Sequence, residues 1–235
     1  MKDVYVRKSF TPNSRCLLFL AMLYIAILCA CSAVGYKIVG YRVFILNSAA
    51  VLYPLTYIIS DTIAEVYGYA IMKKIIWFGI ITETIFASLV VLMVYMPGLN
   101  TPYQTKAITF TLGAVLRFVL SSIFADICSS FTNVWIISKM KVKMHGKRFW
   151  FRGMVALIAS EFIIASISVI FAFAGRESII TVIEMSFSVY IFMLLFGCIL
   201  IIPTTYVIRV IRNFEKIDVY EEKIRFNPFV FSSKD

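Results

Sequence analysis

Six charged residues stand inside long apolar runs: Asp61, Glu65, Glu83, Arg117, Asp126 and Glu161. A charge at the centre of a bilayer costs at least ~2.5–3.5 kcal/mol on insertion scales, so each of these needs a partner, a wet cavity or a proton. Counting from the nearest flanking basic residue at about 1.5 Å per helical residue puts Asp61, Glu83, Asp126 and Glu161 roughly 13–20 Å from one membrane surface. The same count puts Arg117 roughly 16 Å from the opposite surface, with Glu65 a little shallower than the rest. The other five therefore reach one central layer, the depth at which transporters hold their solutes. Any one of them alone also fits a polar clamp between two helices. Together they set five carboxylates against one arginine, an excess of acid that suits a cationic solute, transported protons, or both.

Tyr53, Tyr57, Asp61 and Glu65 recur every four residues, so on a helix they share one face. Two aromatic rings beside two carboxylates suit a planar, hydrogen-bonding ligand, through stacking and charge-assisted hydrogen bonds. Ordinary packing of the tyrosines near a membrane interface is the alternative. Gly68 follows, where a backbone can turn or a neighbour can approach closely.

These residues need elements to carry them. Of the 235 residues, 61% are hydrophobic and the mean hydropathy is +0.89, well above a soluble domain. The apolar residues gather in blocks near the ~20 residues that cross a bilayer core of about 30 Å. Six spans are expected, at 16–35, 43–72, 75–96, 107–138, 153–174 and 185–208. The second and fourth are too long for one straight crossing, since thirty helical residues reach roughly 45 Å. Pro54 can break the second. Gly113 and the pairs Ser121–Ser122 and Ser129–Ser130 can loosen the fourth. Broken helices at that depth are tolerated beside a cavity.

The net charge of +10 is explained by position. With the N-terminus inside, eighteen Lys and Arg fall on inner segments and four on outer ones, namely Lys37, Arg42, Lys106 and Arg176. The inner set includes Lys2, Arg7, Lys8, Lys73, Lys74, Lys223, Arg225 and Lys234. That asymmetry places both termini in the cytoplasm and assigns the charge to lipid head groups, not to nucleic acid. The domain boundaries that follow are a cytoplasmic N-terminal segment at 1–15, a six-helix membrane domain at 16–208 and a cytoplasmic tail at 209–235.

Other chemistries lack their residues. The five cysteines (Cys16, Cys29, Cys31, Cys128, Cys198) lie in apolar blocks without metal-ligand spacing, and His145 is the only histidine. They read as small buried hydrophobes. Neither a phosphate-binding loop nor a nucleophile with a histidine partner is present, so no enzyme and no cofactor is expected. Asp61 and Asp126 lie at similar depth, as in an aspartyl intramembrane protease, but neither sits in a supporting motif. The first apolar block runs about 20 residues with more spans after it, so it is expected to be retained, not cleaved as a signal peptide.

The run Tyr53-Pro-Leu-Thr-Tyr-Ile-Ile-Ser-Asp-Thr-Ile-Ala-Glu-Val-Tyr-Gly68 resembles the signature of the queuosine-precursor transporter family, also called the VUT family. Lys73–Lys74 and Trp77 follow it as they commonly do there. Arg117 with Ser122 and Ala125, the run Val134 to Lys141, the run Gly146 to Arg152, and Tyr190 with Pro203 extend the resemblance over most of the chain. It implies a six-helix importer of 7-deazaguanine compounds used in transfer-RNA modification, placed in the bacterial inner membrane. Several positions depart from the family pattern. Asn133 stands where an Asp is expected, Glu161 where a Gln is, Ile164–Ala165 where Asp–Thr is, and Met193 where a Lys is. Losing both members of an ion pair costs less than losing one. Asp126 and Glu161 are additions of this chain.

The expectation is thus an all-α polytopic membrane protein importing a queuosine precursor (preQ0, preQ1 or queuine) or a related purine-like solute. Its substrate-binding residues are Tyr57, Asp61, Glu65 and Arg117, followed by Glu161, Asp126, Tyr53 and Glu83, with Arg117 holding the carboxylates or facing a carbonyl oxygen. A substrate-capture subunit for an ATP-driven vitamin importer stays open, with Ala26 and Ala30 as a small-residue contact. So does a homodimer.

Overall fold

The computed structural model of the chain describes residues 14–35, 37–41, 44–99, 101–173, 178–221 and 227–229. Lys2, Arg7, Lys8, Arg42, Arg176, Lys223, Arg225 and Lys234 lie outside the described residues, as do most of segment 1–15 and parts of the tail.

Local chemistry sets most helix ends. Helix α1 (Arg15–Val34) begins where the Ser14 hydroxyl accepts a hydrogen bond from Leu17 N–H at 3.1 Å. Strands β1 (Ile38–Tyr41) and β2 (Phe44–Asn47) then pair antiparallel, with Ile38 opposite Asn47 and Tyr41 opposite Phe44. This hairpin corrects the expectation of a wholly helical chain. Its position is where a second span was to begin at residue 43.

The expected second span is broken more thoroughly than Pro54 alone required. After the hairpin come a single turn, α2 (Ala49–Leu52), and a short helix, α3 (Pro54–Tyr67), with proline at its first position. Helix α3 has 14 residues, of which only Leu55 and Ile58 are not buried. It ends at Gly68, whose φ of 94° and ψ of 168° lie in a region open essentially to glycine alone. Helix α4 (Tyr69–Val94) starts directly after it. Lys73 and Lys74 therefore ride on the second turn of α4 and do not form a connecting loop.

The expected fourth span also divides. Helix α5 (Pro102–Leu112) is opened by a reciprocal capping box between Thr101 and Gln104. At Gly113–Ala114 the chain steps into α6 (Val115–Lys143). The serine pairs do not break α6; their hydroxyls turn inward to backbone or neighbouring groups. Helix α7 (Phe149–Phe173) and helix α8 (Ile179–Glu215) complete the bundle, α8 running on through Pro203. Its 37 residues reach about 55 Å, well beyond a bilayer core.

Among the described residues five segments are long and apolar enough to cross a membrane: α1, α4, the α5–α6 pair, α7 and α8. Their outer surfaces carry bare large apolar side chains such as Phe19, Phe78, Phe124, Phe162 and Ile199, as lipid contact requires. The short α3 sits inside this ring against α1, α4, α6 and α8. The start of α1, the α3–α4 joint, the α6–α7 turn and the end of α8 meet at one end of the bundle. Lys141, Arg152 and Arg212 gather there, and we call it the basic end.

Candidate functional site

Helices α3 and α6 run parallel and meet along one polar seam. On α3 the seam is Tyr53, Tyr57, Asp61 and Glu65, one residue per turn. On α6 it is Ser122, Asp126, Ser129, Asn133 and Lys141, which recur at three, four and eight residues and so share a face. The rungs are Tyr53 Oη donating to Asp126 Oδ1 at 3.0 Å, Tyr57 Oη with Ser129 Oγ at 3.0 Å, and Asn133 Nδ2 donating to Asp61 Oδ1 at 2.6 Å. The last joins Lys141 Nζ to the carbonyl oxygen of Glu65 at 2.5 Å. Ser129 also donates to the carbonyl of Ser160 at 3.0 Å, which ties the seam to α7. All eight rung residues are buried.

The carboxylates do not share one layer. Tyr53 and Asp61 are eight residues apart on one α3 face, about 12 Å along the axis. At the level of Tyr53 a cavity of about 50 Å³ opens beside Asp126, Glu83 and Ser122. That volume admits a few waters but is too small for a purine-sized solute, so loading requires the helices to part. Ser32 on α1 donates to Glu83. The Tyr53 and Tyr57 rings stand edge to face, 5.5 Å between centroids. Ile164 and Met193, which occupy positions where an acid and a lysine were expected, line the same cavity. This agrees with joint loss of an ion pair. Asn133, the third departure, is the hydrogen-bond partner of Asp61.

At the basic end, Glu65 is wholly buried and fully engaged. Arg152 grips it with two bonds, Nη1 to Oε2 at 2.7 Å and Nη2 to Oε1 at 2.8 Å, and Arg212 Nη2 reaches Oε1 at 2.5 Å. The bidentate pairing fixes the carboxylate in place. Arg152 also donates to the carbonyls of Lys147, Ile137 and Gly146.

The expected pairing of Arg117 with the carboxylates is not found. Arg117 lies on an exposed face of α6 and makes no ion pair among the described residues. Nor is it the one arginine inside the bundle: Arg152, counted in sequence among the basic loop residues, is completely buried. The signal for it was available. Glu65 is the carboxylate nearest the basic end and needed a counter-charge, and two basic segments converge on that end.

Asp61, Glu83, Asp126 and Glu161 make no ion pair among the described residues. Glu161 goes further: it is wholly buried, and neither carboxyl oxygen has a hydrogen-bond partner among the described residues. It shares a face of α7 with Ile164 and Ser168, one and two turns on, which line the cavity. A buried carboxyl in that condition calls for a partner that the described residues do not supply. The expected residues are thus divided. Tyr53, Asp126 and Glu83 meet at the cavity, Tyr57 and Asp61 continue the seam below it, and Glu65 is locked at the basic end. Among the described residues no group of three or more His, Cys, Asp or Glu is arranged to hold a metal ion.

No curated protein and no solved structure matches this chain. One family model does, described as "Putative vitamin uptake transporter", over residues 47–208. The match begins at the end of β2 and takes in the whole α3–α6 seam, α7 and most of α8. The chain therefore belongs to the vitamin uptake transporter family, a family of membrane transporters and not of enzymes.

Proposed function

We propose that the protein imports a 7-deazaguanine-type queuosine precursor, or a related purine-like solute, across the bacterial inner membrane. The solute sits at the cavity bounded by Tyr53, Glu83 and Asp126. The observation that carries this reading is a membrane-embedded cavity lined by two carboxylates and a tyrosine, with no cation facing the acids among the described residues. Ring and amine N–H groups of a planar base are the complement of such acceptors, and the Tyr53–Tyr57 pair offers aromatic surface. Tyr57, Asp61 and Glu161 supply the next polar groups as the solute moves along the seam. Glu65 serves as an anchor whose guanidinium partners fix α3.

The same reading takes α2–α3 as a short sixth crossing. That leaves the start of α1 and the end of α8 at the basic end, which the excess of Lys and Arg assigns to the cytoplasm. The test is a binding titration of purified protein against 7-deazaguanines, purines and vitamins, followed by thermal shift. Saturable stabilisation by at least one deazaguanine, lost in Asp126→Asn and Glu83→Gln, is expected. No response to any deazaguanine would remove the substrate assignment and leave the family intact.

A second reading keeps the same cavity in a capture subunit served by an ATP-driven partner. Ala26 and Ala30 favour it, since both are exposed on α1 and would let another helix approach closely. Uptake by this chain alone excludes it.

A further inference from the structure

The chain beyond α8 turns back beneath the bundle. Lys216 leaves the helix in the left-handed conformation, φ 53°, and the following residues pass under the joint between α3 and α4. Val219 N–H donates to the carbonyl of Val66 at 3.1 Å. The Glu221 carboxylate accepts from Tyr69 N–H at 2.8 Å and Ala70 N–H at 3.3 Å. These are the groups that a helix break leaves open, the last carbonyls of one helix and the first amides of the next. A carboxylate at the start of α4 also faces the positive end of its dipole.

Lys141 ties this strap to the seam. Its ammonium has three donors, and they go to the carbonyl of Glu65, the carbonyl of Val219 at 2.8 Å and the carboxylate of Asp218 at 2.6 Å. One group therefore holds α6, α3 and the strap together. Asp218 also meets Arg212 at 3.1 Å, and the Tyr220 ring lies 4.4 Å from the ammonium. The approach at Gly68 is close. A Cβ there would stand 2.5 Å from the Glu221 carboxylate, so a side chain at 68 would displace that carboxylate as well as strain the backbone.

The strap's bonds from Val219 and Glu221, and those it receives from Lys141, thus fall on the bottom rung of the α3–α6 seam or on the joint that ends α3, while Asp218 also reaches Arg212 on α8. The seam cannot part at the basic end while the strap is seated. We propose that residues 217–221 are a latch that closes the basic end of the solute path and lifts during each transport cycle. The latch belongs to no helix, Asp218 keeps about a third of its side chain exposed (35%), and Lys216 supplies a hinge. Helix α3, bounded by Pro54 and Gly68, can tilt once the latch has gone.

The latch rests on the transport reading for its role, but its test uses no solute. Ser129→Cys, made in a Cys128→Ser background so that no native thiol shares its peptide, places a thiol in the middle of the seam, and its labelling by a small maleimide is followed in nanodiscs by peptide mass spectrometry. Removing the latch contacts with Asp218→Ala and Glu221→Ala should raise the labelling rate several-fold. Fixing the latch by an oxidised Val66→Cys/Val219→Cys pair should lower it below that of the parent, with recovery on reduction. Unchanged labelling after cross-linking overturns the proposal, even if the double alanine variant fails to fold. A negative deazaguanine titration alongside latch-dependent labelling would remove the substrate reading alone.

Discussion

Arg152 and Arg117 are both arginines of a membrane domain, yet the structure gives them opposite surroundings, and mutation should separate them. Arg152→Ala leaves a wholly buried Glu65 with only Arg212 beside it, and breaking a buried pair in this way costs about 3–5 kcal/mol. Arg117→Ala removes an exposed side chain and should change stability by less than about 0.5 kcal/mol. Thermal unfolding in detergent checks both, and equal losses would contradict the assignment. Arg152→Lys should not rescue, since an ammonium cannot reproduce the two-pronged grip. Glu221 makes a pH prediction. Burial pushes its carboxyl above the ordinary value of 4.5, against the pull of the Ala70 and Tyr69 amides and of Lys141 and Lys73. A value raised in the folded state gives a contribution that is full below the unfolded value and is lost as pH rises through the raised one. The melting temperature of the native protein relative to Glu221→Gln should therefore fall as pH rises from about 4 towards neutrality. A difference independent of pH would contradict it.

At the level of elements, the α3–α6 seam and the Gly68 joint carry the account. Gly68→Ala forces a Cβ into a glycine-only backbone region and against Glu221, at a cost of about 1–3 kcal/mol. Tyr53→Phe and Tyr57→Phe each remove one rung and should cost about 1 kcal/mol apiece. Tyr53→Phe should weaken solute binding more, because its rung borders the cavity. One face of this seam was legible in the sequence: the four-residue recurrence of Tyr53, Tyr57, Asp61 and Glu65 names the α3 side. The α6 side was not, because Ser129, Asn133 and Lys141 are ordinary residue types whose role appears only when a partner helix fixes which face turns inward. Breaks were legible at Pro54, Gly68 and Gly113. The hairpin was not, since a short strand in an apolar run has the composition of a helix.

Across the whole molecule, the apolar blocks announced a polytopic helical protein, and they located the long helices, although only the two ends of α1 and the far ends of α4 and α7 fall within about two residues of the expected bounds. What they could not supply was depth. Counting residues from flanking lysines assumed that Lys73–Lys74 and Arg152 mark the membrane surface. The chain instead folds Lys73 into α4 and draws Arg152 inside, which separates Asp61 from Asp126 by more than two helical turns. If α2–α3 is a sixth crossing, as proposed, with the start of α1 and the end of α8 on the basic side, single cysteines at positions 37 and 216 should label from opposite faces of the membrane. Labelling from the same face would contradict it. The central claim, that this chain alone carries a planar N–H-rich base past Glu83 and Asp126, is tested most directly by uptake of a radiolabelled 7-deazaguanine into proteoliposomes holding only this protein. The account predicts saturable uptake that Asp126→Asn reduces at least tenfold while Arg117→Ala reduces it less. Uptake no greater than that of empty liposomes, or equal in the Asp126→Asn variant, would contradict it.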